Sequence, residues 1–247
     1  MREIIILGSG PGANECPFDR EVWAIGKMIM GAIHLIRVDR FFMLDDLDDL
    51  LSTKVVSGEE DYHKEVKKLN GLVSKFSSDK SLKLTATEFF NHIESLKLSI
   101  DRITTLRQNL IHQNRFTREE FIKKINEHRS VELITCRKHP EIPSSRAYPL
   151  KEVISKYKIP YFTNTVCYMI ALALFEEVDS IQLWGIRQGG YYEYMKERKG
   201  VEFWIGLAAG RGIKVEIKGE SELLTNDNNK LYGYKRSPEQ LKYEDII

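Results

Sequence analysis

The chain has 247 residues, 42% of them hydrophobic, with 37 basic and 36 acidic side chains and a net charge of +1. That length suits one α/β domain carrying an insertion, and the charge balance excludes a general electrostatic case for nucleic acid or an anionic membrane. Neither an apolar run long enough to span a bilayer nor a basic segment leading into an apolar signal core is present, so the composition reads as a cytoplasmic protein.

The first element is the apolar run Glu3–Leu7, which ends in Gly8-Ser9-Gly10-Pro11-Gly12-Ala13-Asn14. A buried strand passing into a glycine-rich turn is how a parallel sheet begins a phosphate-holding loop. Gly8 and Gly10 would let the backbone approach a ligand, while Ser9 and Asn14 would add side-chain hydrogen bonds. The alternative is a tight structural turn with no ligand. The loop can be forced onto the dinucleotide pattern GxGxxG/A, but that pattern also needs a helix and then a strand ending in an acid. Here the next strand, Glu21–Ile25, follows too soon and ends in Gly26-Lys27. A mononucleotide or another phosphate ligand suits the shorter loop better.

A third strand, Arg40–Leu44, ends in Asp45-Asp46, with Asp48 and Asp49 following. At the carboxyl edge of an open parallel sheet, Asp45 would hold a ribose hydroxyl, a Mg²⁺ ion or an acceptor hydroxyl. The other reading is an acidic first turn of the next helix. Residues 50–129 then break the strand–helix rhythm: they are rich in Lys, Glu, Leu and Ile and lack proline. Leu96, Ile100 and Ile103, then Phe121, Ile122 and Ile125, fall at helical spacing. The segment reads as an inserted group of two to four helices, serving as a cap, an oligomerisation arm or a lid. The remaining chain, 1–49 with 130–247, would form the nucleotide-binding domain.

Three more strands are expected at Val131–Thr135, Ile181–Trp184 and Ile213–Ile217, with helices at Tyr148–Lys158, Thr163–Glu177 and Tyr192–Ala209. This alternation predicts an α/β, Rossmann-like, mainly parallel sheet with helices on both faces. Thr163 or Asn164 would cap the almost wholly apolar second helix, whose free amides, with Asn164 and Thr165, would face a base or phosphate. Arg187, just past Ile181–Trp184, would meet a phosphate, and Tyr191, Tyr192 and Tyr194 could wall a base. Phe203, Trp204 and Leu207 read as core, and the polar tail after Lys218 as a surface loop. His139, in Cys136-Arg-Lys-His-Pro140, is the one histidine positioned to act as a general base; the plainer reading is an exposed loop histidine. Cys16, Cys136 and Cys167 are far apart, and neither they nor the scattered histidines show metal-ligand spacing.

These blocks together resemble the small Rossmann-like sialyltransferases that use CMP-sialic acid, and also the archaeal-type 6-hydroxymethyldihydropterin pyrophosphokinase-like proteins. The likeness lies in Ile4–Asn14 and in Thr163-Asn-Thr through Ala171-Leu-Ala to Leu183-Trp-Gly-Ile-Arg187. Uncharacterised proteins of bacterial viruses carry similar blocks. The sialyltransferase resemblance implies a nucleotide-dependent transferase with Gly8, Ser9, Gly10, Asn164 and Thr165 around a nucleotide or nucleotide sugar as substrate, and no tightly bound cofactor. The pyrophosphokinase resemblance implies ATP and Mg²⁺ instead. Two departures stand out: Ser9 replaces a frequent Asn, and Arg187 stands where an Asp is usual. A third reading is a protein that captures a nucleotide without turnover. The helical insertion is expected to bring copies of the chain together.

Overall fold

The computed structural model describes residues 1–31, 37–45, 47, 56–78, 86–113, 117–128, 130–189 and 192–225. Seven strands form one sheet in the order β5-β4-β3-β2-β1-β6-β7. They are β1 (Glu3–Leu7), β2 (Glu21–Ile25), β3 (Arg40–Met43), β4 (Glu132–Thr135), β5 (Ser145–Ala147), β6 (Ser180–Trp184) and β7 (Lys214–Lys218). Every pairing is parallel. The helices are α1 (Val56–Ser78), α2 (Ala86–Gln113), α3 (Arg118–Glu127), α4 (Leu150–Tyr157), α5 (Thr165–Phe175) and α6 (Tyr192–Gly210). Short 3₁₀ turns occupy Ala13–Glu15 and Gly26–Met30. The α/β class expected from the sequence is therefore found. Strand β5 was missed because Ser145-Arg-Ala carries no apolar run; as an edge strand it buries only Ser145. Among the described residues no helix is long and apolar enough to cross a membrane.

Alternate side chains of each strand sort onto two covered faces. Ile4, Ile6, Trp23, Phe42, Ile134, Ile181 and Leu183 pack with α4, α5 and α6 on one face. Ile5, Leu7, Val22, Ala24, Phe41 and Leu133 pack on the other with Ala13, Met28, Phe121 and Ile125. The last helix of the inserted segment thus belongs to the sheet's own core. It is fixed by a capping box in which the Thr117 hydroxyl accepts from Glu120 N (3.2 Å) and the Glu120 carboxylate accepts from Thr117 N (2.8 Å). Trp204 is fully buried as expected, but Phe203 is 38% exposed, because it projects from the outer side of α6.

The faces fix the topology. The chain leaves the centre at β1 and walks to the edge at β5 with its connections on one face. It then returns through α4 and α5 on the opposite face to β6, beside β1. Right-handed crossovers require this change of face when the walk reverses direction. The reversal places a topological switch point between β1 and β6, where open sheets leave a crevice beyond the strand ends.

The opposite edge carries an ion ladder of alternating sign across five strands. Arg2 forks onto Glu21 (3.0 Å to each oxygen), Arg40 reaches Glu132 (3.3 Å), and Arg146 reaches Glu132 (2.6 Å). Glu176, just past the end of α5, receives Arg2 (2.8 Å) and Arg40 (2.7 Å). A carboxylate is unfavourable at a helix C-terminus, so these arginines offset both that dipole and the partial burial of Glu176. The Arg40 guanidinium also lies over the Trp23 ring, 4.8 Å from its centre.

Candidate functional site

Three loops meet at the carboxyl end of the switch: Gly8–Ala13 after β1, 185–189 after β6 and 219–225 after β7. Gly8 N donates to Trp184 O (2.9 Å), and Gly10 N donates to Gly185 O (2.8 Å). A Cβ on Gly8 would lie 2.5 Å from Ile186 Cδ1, one on Gly10 would lie 2.8 Å from Gly185 O, and one on Gly185 would lie 2.5 Å from Gly8 O. The glycines are therefore demanded by loop-on-loop packing. Both N–H groups of Gly8 and Gly10 are spent on the β6 exit, and a Cβ on either glycine would meet it. The segment after β7 is laid over this seam. Ser221 Oγ donates to Ile186 O (2.7 Å), Glu222 N donates to Arg187 O (2.8 Å), and Leu223 is buried in the core. What read as a polar surface tail is thus, in its first residues, a packed strap; residues 226–247 lie outside the described part.

Ser9 faces solvent at the tip of the first loop, and Asn14 is exposed in the 3₁₀ turn Ala13–Glu15. Asn164 lies at the same rim, because a helix that leads into a parallel strand starts at that strand's carboxyl end. It is the N-cap of α5: its Oδ1 accepts from Cys167 N (3.1 Å). Its Nδ2 donates to Gln188 Oε1 (3.3 Å) and to Glu197 Oε2 (3.1 Å). The hydrogen-bonding capacity of Asn164 thus serves the protein, and it ties α5, α6 and the β6 exit together. Thr165 is the first residue of α5 and is half-buried. Thr163 Oγ1 donates to Glu197 O (2.7 Å) and would touch any Cβ placed on Gly200, so α6 packs hard against the start of α5.

Arg187 leaves β6 as expected, with its side chain 44% exposed, but Glu220 of the strap already pairs with it at 3.2 Å. Gln188, next in sequence, is buried and holds the left-handed conformation (φ 51°). A non-glycine residue in that region stores about 1–3 kcal/mol and recurs at functional sites. Glu222 covers Gly189 so closely that a Cβ there would fall 1.8 Å from the carboxylate carbon. Glu222 also stands 3.9 Å from Arg198, which pairs with Glu202 at 3.1 Å. The rim therefore has a string of carboxylates, Glu197, Glu202, Glu220 and Glu222, interleaved with Arg187 and Arg198. Gln188, Glu197 and the strap carboxylates were not anticipated from the sequence. The available signal was Gly189, whose lack of a side chain makes room for Glu222.

The two catalytic candidates lie apart from this cluster. Asp45 follows β3, two strands from β1, roughly 10 Å away at ordinary strand spacing. It is exposed and 3.9 Å from Lys27 Nζ. His139 follows β4, a further strand away. It is not an exposed loop histidine: only 5% is accessible, and its Nε2 is buried without a hydrogen-bond partner. Its main chain is clamped by Ser145, whose Oγ accepts from His139 N (2.9 Å) and donates to His139 O (3.0 Å). Burial pushes up the thiol of Cys167, which makes it an inert packing group rather than a nucleophile. Among the described residues no three His, Cys, Asp or Glu side chains converge to hold a metal ion. Asp46, Asp48, Asp49 and Tyr191 lie outside the described residues, as does the side chain of Tyr192. Tyr194 is exposed. A stacked pair, Phe162 on Tyr168 (4.3 Å between centres), flanks the start of α5 and presents half-buried rings.

No protein-family model matches the sequence. No curated protein matches it either. A solved structure with a similar course of the chain is the sialyltransferase CstII from Campylobacter jejuni in complex with a substrate analogue, cytidine-5'-monophosphate. It is 16% identical, with a TM-score of 0.37, over 88% of this chain and 79% of that one. At that identity and superposition the likeness carries nothing about residues or chemistry.

Proposed function

We propose that the chain is a nucleotide-dependent transferase of the CMP-sugar-using kind, taking its nucleotide at the β1–β6 switch. The observation that supports it is the meeting, at one rim, of the Ser9 turn, the start of α5 at Asn164 and the β6 exit at Arg187. This is the crevice in which open α/β sheets bind nucleotides. In this reading Ser9, Thr165 and Arg187 contact the nucleotide phosphate, and Asn164 shapes the wall beside it. Charge stabilisation on the departing phosphate supplies much of the rate gain. Asp45, exposed and at the same edge, is the better-placed acceptor base, because the 136–144 loop would have to open before the buried His139 nitrogen could reach an acceptor.

Thermal-shift screening with CMP, CDP, ATP and NAD⁺, each with and without Mg²⁺, tests the proposal. Stabilisation by cytidine nucleotides without Mg²⁺ is the expected result; Mg²⁺-dependent stabilisation by ATP would favour diphosphate transfer instead. No shift with any of the four would remove the reading. The burial of His139, and Arg187 in the place where the resembling families carry Asp, favour a second reading, capture without turnover. Recovery of unchanged CMP-sugar after prolonged incubation with acceptor sugars would select it.

A paired substitution separates helix capping from the shaping of the wall. Asn164→Ala removes the helix cap and is expected to cost about 1 kcal/mol of stability. Asn164→Ser keeps a capping oxygen and so retains most of that stability, but it cannot reach Gln188 and Glu197. Both variants should weaken CMP binding about tenfold, the equivalent of one lost polar contact to an ordered wall. Wild-type affinity in Asn164→Ser would take Asn164 out of the site.

A further inference from the structure

The outer side of α6 carries a strip of exposed residues that neither the core nor the β1–β6 rim uses. Met195, Lys199, Phe203, Gly206 and Gly210 follow one another at three- and four-residue spacing, and all face solvent. Met195 is 59% exposed and Phe203 38%. Beside the strip runs Lys158-Ile-Pro-Tyr161, the segment that leads to α5. Tyr161, 40% exposed, meets Phe203 edge to face with 5.7 Å between ring centres. Its carbonyl accepts from the buried Trp204 indole (2.7 Å), so the two exposed rings stand on a fixed base.

The charges beside these rings have one sign. Lys199 lies one turn from Phe203, and Lys158 is exposed three residues before Tyr161. Arg211 follows α6 with its guanidinium 4.9 Å from the centre of the Tyr157 ring, which in turn abuts Trp204 (5.9 Å). The nearby acids are held elsewhere. Asn164 donates to Glu197, Arg198 (3.1 Å) and Leu224 N (2.8 Å) engage Glu202, and Lys156 engages Glu177 (2.9 Å). Neither the strip nor the segment contains a carboxylate. A net charge of +1 gives the whole chain no attraction for a bilayer, so any attraction must be local; here local cations surround an apolar, aromatic centre. The two glycines suit such a surface. A Cβ on Gly206 or Gly210 would meet nothing, so packing within the protein does not call for glycine, and glycine weakens a helix. The bare backbone keeps the strip low beside Phe203.

We infer that this face, the outer strip of α6 with Lys158–Tyr161, docks on a bilayer surface that contains anionic lipid. Met195, Phe203 and Tyr161 enter the headgroup layer, where aromatic rings settle, and Lys158, Lys199 and Arg211 meet the lipid phosphates. A specific protein contact covers about 800 Å² on each side. Three partly exposed side chains offer only a fraction of that apolar area, which suits shallow insertion instead. The contact is peripheral, as no described helix can cross a membrane. It leaves the β1–β6 rim open and does not depend on what binds there.

Co-sedimentation with vesicles tests the docking. The wild-type chain is expected to pellet several-fold better with phosphatidylcholine vesicles containing one third phosphatidylglycerol than with phosphatidylcholine alone, and to be released by half-molar salt. Lys199→Gln should weaken the binding about fivefold, one cation's share at an anionic surface. Phe203→Ser should weaken it at least as much, whereas Phe203→Trp should keep it. Lys123→Gln, at an exposed position on α3, serves as the unaffected control. All four changes lie on the surface and should leave the far-ultraviolet spectrum as in the wild type. No preference for the anionic vesicles, or wild-type binding in Lys199→Gln, would overturn the assignment. So would Phe203→Ser binding like the wild type, because plain charge attraction is something any acidic macromolecule could satisfy.

Discussion

Gly185→Ala is expected to destabilise the protein by about 2–5 kcal/mol, the sum of a left-handed backbone penalty and an overpacking penalty. The backbone of Gly185 has φ +63°, and the added methyl would fall 2.5 Å from Gly8 O and 2.8 Å from Ala13 Cβ. Both neighbours belong to the loop that opens the chain, so the strain cannot be relieved by rotating one side chain. Two other glycines calibrate the effect. Gly212 has φ +82° with nothing within 4 Å, so Gly212→Ala carries only the backbone term, about 1–2 kcal/mol. Gly206 lies exposed within α6 with open space around it, so Gly206→Ala should stabilise by about 0.5–1 kcal/mol. Urea unfolding of the three variants checks the series. If Gly185→Ala cost no more than Gly212→Ala, the Gly8–Gly185 seam would not be a tight junction.

The same seam explains what the sequence could and could not say about the site. Short apolar runs such as Ile4–Leu7 announce buried parallel strands, because both faces must be covered. The apolar run after Asn164 likewise announces a helix pressed on the sheet. A glycine-rich turn, however, is silent on why glycine is needed. Close approach to a phosphate and close approach to another loop leave the same pattern, and at Gly8 and Gly10 the second operates. Asn164 was legible as a cap from its place before the apolar helix. Its bonds to Gln188 and Glu197 join residues 24 and 33 positions away, which no local pattern encodes. His139 looked exposed because its neighbours Arg137, Lys138 and Pro140 are; its own ring turns inward below them. The pairing of Arg187 with Glu220 likewise depends on β7 lying beside β6. In the transferase reading this pair sets a condition on binding: a phosphate at Arg187 competes with Glu220 for the guanidinium, so Glu220→Gln should tighten CMP binding several-fold, and unchanged affinity would place the phosphate elsewhere.

The second large effect belongs to the opposite edge of the sheet. Arg40→Met is expected to cost about 2–4 kcal/mol at neutral pH, the range for stripping a cation from partly buried carboxylates. Arg40 is only 20% exposed and stands within 4 Å of Glu21, Glu132 and Glu176, all three of which also lean on other arginines. Methionine would still cover Trp23, so the loss isolates the charge. The pH dependence follows from Glu21. Burial pushes its carboxyl up, but the Arg2 fork, the Trp23 indole N–H and the charges of Arg2 and Arg40 outweigh burial and hold it below the usual carboxylate range. A carboxyl depressed in the folded state contributes stability that is complete above its unfolded value, about 4.3, and is lost as pH falls through the folded one. Removing Arg40 reduces that depression, so part of the penalty should vanish once Glu21 is protonated in both proteins. Denaturant titrations at pH 7 and pH 3 are therefore expected to give a clearly smaller difference between wild type and Arg40→Met at the lower pH. An equal difference at both would mean that Arg40 stabilises the edge by packing on Trp23 and not through the ladder of charges.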